Sequence, residues 1–205
     1  LIQSKKRLSL IVTQDKVIFI NKIGDITAVD ISSGQLKWQT PTQNTEVHAG
    51  SFSVSNSDLV LDEKTLFISN NENGFYSIDV SGGIINWRQN LLSVTRPTII
   101  QNLIFTISLD GNFVVIEKTT GNIIRITNLF EGLKKKERER ILANGFIVGK
   151  KYVYMSTNNG KLFLIDILTG KTLKIIKIDN QSISGPFIIN NFLYLVKSKS
   201  IIKLN

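Results

Sequence analysis

Apolar residues in this chain come in short runs that alternate with polar ones and are cut at close intervals by Gly, Asn and Asp. That period-two pattern predicts strands and tight turns rather than helices. One phrase recurs four times. It opens at Gly24, Gly74, Gly111 and Gly160, continues as an alternating apolar run, reaches an acid (Asp30, Asp79, Glu117, Asp166), and closes four residues later on Gly34, Gly83, Gly121 and Gly170. The closing glycines lie 49, 38 and 49 residues apart, and periods of that size are the mark of a repeat architecture.

The spacing from acid to Gly has a mechanical reason. A carboxylate followed by small polar residues can accept backbone N–H bonds, while Gly takes the positive φ that reverses the chain, so each phrase reads as strand, turn, strand. The opening Gly, preceded by Asn or Asp in three copies, predicts a two-residue hairpin loop. A β-rich run precedes each phrase, at 17–20, 66–69, 103–107 and 152–156. A shorter apolar segment stands earlier still, as at 97–100 and 145–148, and a last strand follows, at 35–39, 84–89, 122–127 and 171–178. Four short strands per repeat predict an all-β chain folded as a β-propeller of four-stranded antiparallel blades. The blades are expected at about 8–45, 46–92, 93–130 and 141–181, with a partial blade of three strands at 183–205. The partial blade would lack its outer strand unless residues 1–10 supply it, and an open array would bury its uncovered faces against a missing N-terminal half or another copy.

Two copies place a Trp four residues after the closing Gly, Trp38 after Gly34 and Trp87 after Gly83. With the Asp/Asn-Gly opening and the Asp-to-Gly turn, this resembles the PQQ-like repeat. Blade order, the Ser-Gly-Pro-Phe-Ile-Ile run at 184–189 and the ending Ile201-Ile202-Lys203-Leu204-Asn205 are similar to the C-terminal half of the BamB family. The resemblance implies about half of an eight-bladed ring. It also implies a non-enzymatic scaffold of the periplasm, held at the outer membrane as a lipoprotein of the BAM complex, with a lipid anchor not present in this chain. Its implied partner is a POTRA domain of the barrel-inserting subunit BamA, met by the loop at 40–58 near Ser55, Asn56 and Asp58. In that family the docking Trp joins blade to blade. Here Arg125 and Lys174 stand in its place in the third and fourth copies, so the last two seams are expected to rely on Ile and Leu.

Composition narrows the chemistry. There is no Cys, which removes disulfides, thiolate metal sites and a Cys nucleophile, and His48 is the single histidine, read as a loop residue. No Gly-rich phosphate cradle occurs, and the repeated acids are read as turn formers because each holds the same blade position. Quinoprotein dehydrogenases, which share the repeat, hold pyrroloquinoline quinone with an adjacent Cys pair and stacked Trp. Without those residues no cofactor, metal or catalytic residue is expected. The alternatives are a fragment of such a dehydrogenase or a propeller of other sensing or binding role. The net charge of +9 comes mainly from Lys scattered along the chain, so no nucleic-acid partner is inferred. Only the segment 134–140 clusters charge, and it is expected to be an exposed loop or single helical turn outside the blades.

Overall fold

A computed structural model of the chain describes residues 9–21, 24–42 and 55–204. The described residues form nineteen strands and one helical turn. They divide into two compact units, Leu1–Pro97 and Thr98–Asn205.

The first unit holds two four-stranded antiparallel sheets. One contains β1 (Leu10–Val12), β2 (Lys16–Ile20), β3 (Ile26–Asp30) and β4 (Leu36–Thr40); the other contains β5 (Val60–Asp62), β6 (Thr65–Ser69), β7 (Phe75–Asp79) and β8 (Ile85–Gln89). Leu10 is thus part of the first sheet, opposite Phe19, while residues 1–8 lie outside the described residues. The second unit holds β9 (Thr98–Ile100), β10 (Leu103–Ile107), β11 (Asn112–Glu117) and β12 (Ile123–Asn128) in one sheet. A second sheet contains β13 (Ala143–Val148), β14 (Tyr152–Thr157), β15 (Lys161–Asp166) and β16 (Thr172–Lys177). A three-stranded sheet of β17 (Phe187–Ile189), β18 (Phe192–Lys197) and β19 (Ser200–Leu204) follows. In every sheet the strands neighbour one another in chain order, so each is an up-and-down meander, the form of a propeller blade.

The hairpin joining the second and third strands differs from the expected two-residue loop. Backbone bonds close it at Asn21 with Asp25 and Ser108 with Asn112, and the Thr157 hydroxyl closes it on Lys161, which leaves three residues in the loop, the last of them Gly24, Gly111 or Gly160 at positive φ. The reason lies in the residue that opens the loop. The Asp25 amide donates to Asn21 Oδ1 at 2.9 Å, that of Asn112 to Ser108 Oγ at 3.0 Å and that of Lys161 to Thr157 Oγ1 at 3.0 Å. A side-chain acceptor at that position stabilises the longer loop, in which a turn is followed by a left-handed Gly.

The third and fourth strands carry a second irregularity, repeated in all four full sheets. Pairing runs from Ala28 with Trp38 to Val29 with Leu36, and from Ser77 with Trp87 to Ile78 with Ile85. It runs likewise from Val115 with Arg125 to Ile116 with Ile123, and from Leu164 with Lys174 to Ile165 with Thr172. One residue of the outer strand, Lys37, Asn86, Ile124 or Leu173, is therefore left out just before the position that holds Trp38, Trp87, Arg125 or Lys174. Such a bulge re-aims the side chain that follows it.

Burial concentrates on the second and third strands, with Phe67, Phe75, Phe113 and Phe163 fully enclosed. Within the first unit one cluster joins Ile18, Ile26, Ala28 and Trp38 to Leu66, Ile68, Tyr76 and Ile78. In the second unit, one cluster joins Phe105, Phe113 and Phe130 to Met155, Phe163 and Ile165, and another contains Leu162, Ile183, Leu193 and Leu195. Each cluster draws on two consecutive sheets, so apolar burial binds neighbour to neighbour as in repeat proteins.

Candidate functional site

The four repeated acids all fold back on their own turns. Asp30 Oδ1 accepts the Ser32 and Ser33 amides at 3.0 and 2.8 Å, and Asp79 Oδ1 those of Ser81 and Gly82 at 2.9 and 3.0 Å. The Thr120 amide donates to Glu117 Oε2 and the Thr169 amide to Asp166 Oδ1, each at 2.7 Å. Backbone bonds from Gly34, Gly83, Gly121 and Gly170 to the carbonyl of the acid complete each turn. At Asp30, Glu117 and Asp166 the bonds donated to the carboxyl favour its ionised form. The Thr119 hydroxyl, the Thr120 hydroxyl and the Thr120 amide lower the Glu117 pKa from 4.5 to about 2. The Ser33 amide, then Lys37, holds Asp30 well below the usual carboxylate range, and the Thr169 amide and hydroxyl lower Asp166. The carboxylates serve local geometry, four times over.

In the first and third copies the residue four positions past the closing Gly fastens one sheet to the next. Trp38 is 9% exposed and donates from Nε1 to the Val80 carbonyl at 3.2 Å, while the Thr40 hydroxyl donates to the Gly83 carbonyl. Gly83 has φ +72, and a Cβ there would lie 2.5 Å from the Trp38 ring, so both the turn and the close approach require Gly. The second unit repeats this contact with another residue. Arg125 donates from Nη2 to the Ile167 carbonyl at 2.7 Å and from Nη1 to that of Leu168, and the Thr127 hydroxyl donates to the Thr169 carbonyl at 3.2 Å. The Arg125 guanidinium also lies over the Phe113 ring, 5.7 Å from its centre. The expectation that Ile and Leu alone replace Trp in the last two seams is thus corrected for the third copy. A guanidinium reaches the carbonyl equivalent to the one the indole reaches, that of the residue after the repeated acid, because it too presents N–H donors on a flat group. After the fourth copy the seam cluster is Ile and Leu, and Lys174 is exposed. Trp87 packs within its own sheet, on Phe75 at 5.9 Å and Phe67 at 6.0 Å between ring centres.

Of the loop at 40–58, residues 43–54, and His48 with them, lie outside the described residues. Its end is tied to the tip of the β6–β7 hairpin. The Ser55 amide donates to Asn71 Oδ1 at 2.8 Å, Asn56 bridges to Asn70, and the Ser57 amide donates to the Ser69 carbonyl at 2.8 Å. Asn56 is buried and Asp58 is exposed. Among the described residues, Asn56 Oδ1, Ser69 Oγ and Asn73 Nδ2 are buried without a hydrogen-bond partner, so polar atoms gather at this end of the sheet. That polarity went unread in the sequence, although the density of Ser and Asn at 55–57 and 69–73 carried the signal.

The charged segment forms the helical turn α1 (Lys135–Arg138), with no buried residue. Glu137 ion-pairs with Lys161 on β15, and the Asn158 side chain donates to the Arg140 carbonyl at 3.0 Å. Between this turn and the β10–β11 hairpin lies a cleft of about 450 Å³, lined by Leu109, Asp110, Phe130, Lys135, Arg138 and Leu142 among others. Among the described residues no three His, Cys, Asp or Glu side chains gather as a metal site, and no helix is long and apolar enough to cross a membrane.

Comparison with known proteins gives a family and a fold. A family model described as outer membrane protein assembly factor BamB matches residues 3–127. An uncharacterized protein of Rickettsia conorii is 22% identical over 209 residues, which cover 93% of this chain and 49% of that protein; the chain spans about half the length of the curated relative it matches. Among solved structures, BamB from Moraxella catarrhalis superposes with a TM-score of 0.62 at 17% identity, over 95% of this chain and 70% of the other. The β-propeller domain of Cps50 (Swd1) from Myceliophteria thermophila gives 0.65 at 12% identity, over 95% and 62%. A computationally designed protein, Ika8, gives 0.55 at 15% identity, over 94% and 68%. Together with the four-stranded antiparallel sheets, these similarities establish a β-propeller architecture.

Proposed function

The chain belongs to the outer membrane protein assembly factor BamB family, and from that membership we propose that it is a non-enzymatic scaffold that assists the assembly of outer-membrane β-barrel proteins. The observation that carries this reading is the family match over residues 3–127, which spans most of the first three sheets. In this reading the protein works in the periplasm, associated with the outer membrane through a lipid anchor outside this chain. Its sheets act as a rigid frame, and its loops bind partners. A scaffold role also suits the chemistry of the motif, since the four repeated carboxylates are engaged by their own turns. A sequence with no Cys and one His is poorly furnished for covalent or metal-assisted catalysis.

The partner of this proposal is a POTRA domain of the barrel-inserting subunit, met by the loop that ends at Ser55, Asn56 and Asp58. The buried Asn56 and its bonded neighbours would hold the loop in place, and exposed Asp58 would face the partner. Titrating the purified chain with POTRA domains from the same organism tests this. Saturable binding that weakens on Asp58→Lys is expected. Absence of binding in the full-length protein would overturn the partner assignment.

A further inference from the structure

The net charge of +9 is not spread evenly along the chain. Lys and Arg match Asp and Glu in the first unit, nine of each over 1–97, whereas over 98–205 there are sixteen against seven. The whole excess belongs to the second unit. One place there joins unpaired charge to an exposed apolar side chain. In each four-stranded sheet the turn between the first two strands touches the turn between the last two through one amide. Ile31 donates to the Asp15 carbonyl, Val80 to that of Lys64, Lys118 to that of Asn102 and Ile167 to that of Lys151, at 2.9 to 3.0 Å. These bonds make the four tips equivalent, residue for residue. The position after the donor is Ser32, Ser81 and Thr119 in the first three sheets and Leu168 in the fourth. The two positions that end at the acceptor are Gln14-Asp15, Glu63-Lys64 and Gln101-Asn102, then Lys150-Lys151. Of the four tips, only the last combines two lysines with an apolar residue.

Leu168 is 81% exposed, more than any other large apolar side chain among the described residues. Its turn is firmly built. Arg125 donates to the Ile167 and Leu168 carbonyls, and the Thr169 amide and hydroxyl donate to Asp166 Oδ1 at 2.7 and 2.8 Å. Asp166, the one acid on these two turns, is thus engaged within its own turn. Lys150, Lys151 and Lys171 are exposed on the same tip, with no ion pair among the described residues. An apolar residue held outward among unpaired lysines breaks the polar pattern of the other turns, and such local departures concentrate at functional places. We infer that the tip formed by Lys150, Lys151, Leu168 and Lys171 docks on a membrane surface of anionic phospholipids. The lysines meet the headgroup phosphates, and Leu168 enters the apolar layer just beneath them. A nucleic acid would satisfy the lysines but give Leu168 nothing to enter. A protein partner would need a pocket shaped to one projecting side chain, whereas lipid packs around it. Charge and exposure at this tip are independent of the POTRA partner and the lipid anchor, so the chain alone is expected to bind vesicles without either.

The test sediments the whole chain with phosphatidylcholine vesicles, with and without phosphatidylglycerol. Binding to the anionic vesicles alone, weakening with added salt, is expected. Lys150→Glu with Lys151→Glu should lower the partition coefficient by about tenfold or more. Leu168→Ser, which changes no charge and restores the residue of the first two tips, should lower it by about fivefold. Lys134→Glu with Lys136→Glu makes the same change in net charge elsewhere on the second unit and should cost less than the pair at the tip. All these side chains are exposed, so the variants should keep the unfolding midpoint of the parent, which a denaturant titration checks. Absence of binding to the anionic vesicles, an equal loss from the Lys134 and Lys136 pair, or no loss on Leu168→Ser overturns the inference. So does equally strong binding of single-stranded DNA with the same dependence on every variant, which would make the tip a general polyanion site.

Discussion

Trp38 and Arg125 occupy the same place in the first and third repeats and reach the same place on the following sheet, the carbonyl of the residue after the repeated acid. One does so with a single N–H on a large apolar ring, the other with several N–H donors on a flat, charged guanidinium. The consequences of losing them should differ. Trp38→Ala removes most of a buried ring and leaves a cavity against Gly83, so it should cost about 3–5 kcal/mol and lower the urea midpoint without changing the slope. A midpoint within experimental error of the parent would mean that Trp38 does not carry its seam.

At the scale of the element, the unit that repeats is a hairpin with two fixed parts, a turn closed by its acid and a bulge, to which the first and third copies add a residue docked on the next sheet. The turn makes stability depend on pH. Glu117 has its pKa lowered from 4.5 to about 2 in the folded chain, chiefly by the Thr119 and Thr120 hydroxyls. A lowered pKa means that the folded state holds its proton less tightly than the unfolded one. The contribution is therefore complete above pH 4.5 and is lost as pH falls through about 2. Asp30 and Asp166 are lowered as well and act in the same direction. Between those limits the parent should lose stability with falling pH more steeply than Glu117→Gln, as seen in urea midpoints at stepped pH; parallel curves would show that the turn bonds do not discriminate charge.

For the whole molecule, the clusters imply that energy is distributed seam by seam rather than in one central core. The Trp38 cluster draws only on the first unit and the Arg125 contact only on the second, with no residue shared. Trp38→Ala and Arg125→Ala should accordingly be additive in the double variant to within about 0.5 kcal/mol. A larger coupling would show that the two units stabilise each other through contacts beyond these seams.

Much of this architecture was legible in one dimension because its causes are local. Alternation of apolar residues sets strands, a left-handed Gly sets a reversal, and an acid four residues before Gly closes a turn, so the strand order and the four motif turns followed from spacing alone. Loop length was less legible: the side chains of Asn21, Ser108 and Thr157 set three-residue loops that the Gly signal could not distinguish from shorter ones. What only the tertiary structure decided is what each repeat does to its neighbour. A missing Trp read as a seam left to Ile and Leu, yet a bulge after Ile123 aims Arg125 at the Ile167 carbonyl, 42 residues further on. The charges at 134–140 likewise became a cleft margin only when Lys161 and Asn158 fixed the connector beside the β10–β11 hairpin. Local geometry is written in near neighbours and can be read from them, whereas contacts between sheets depend on which side chains the completed meanders bring face to face.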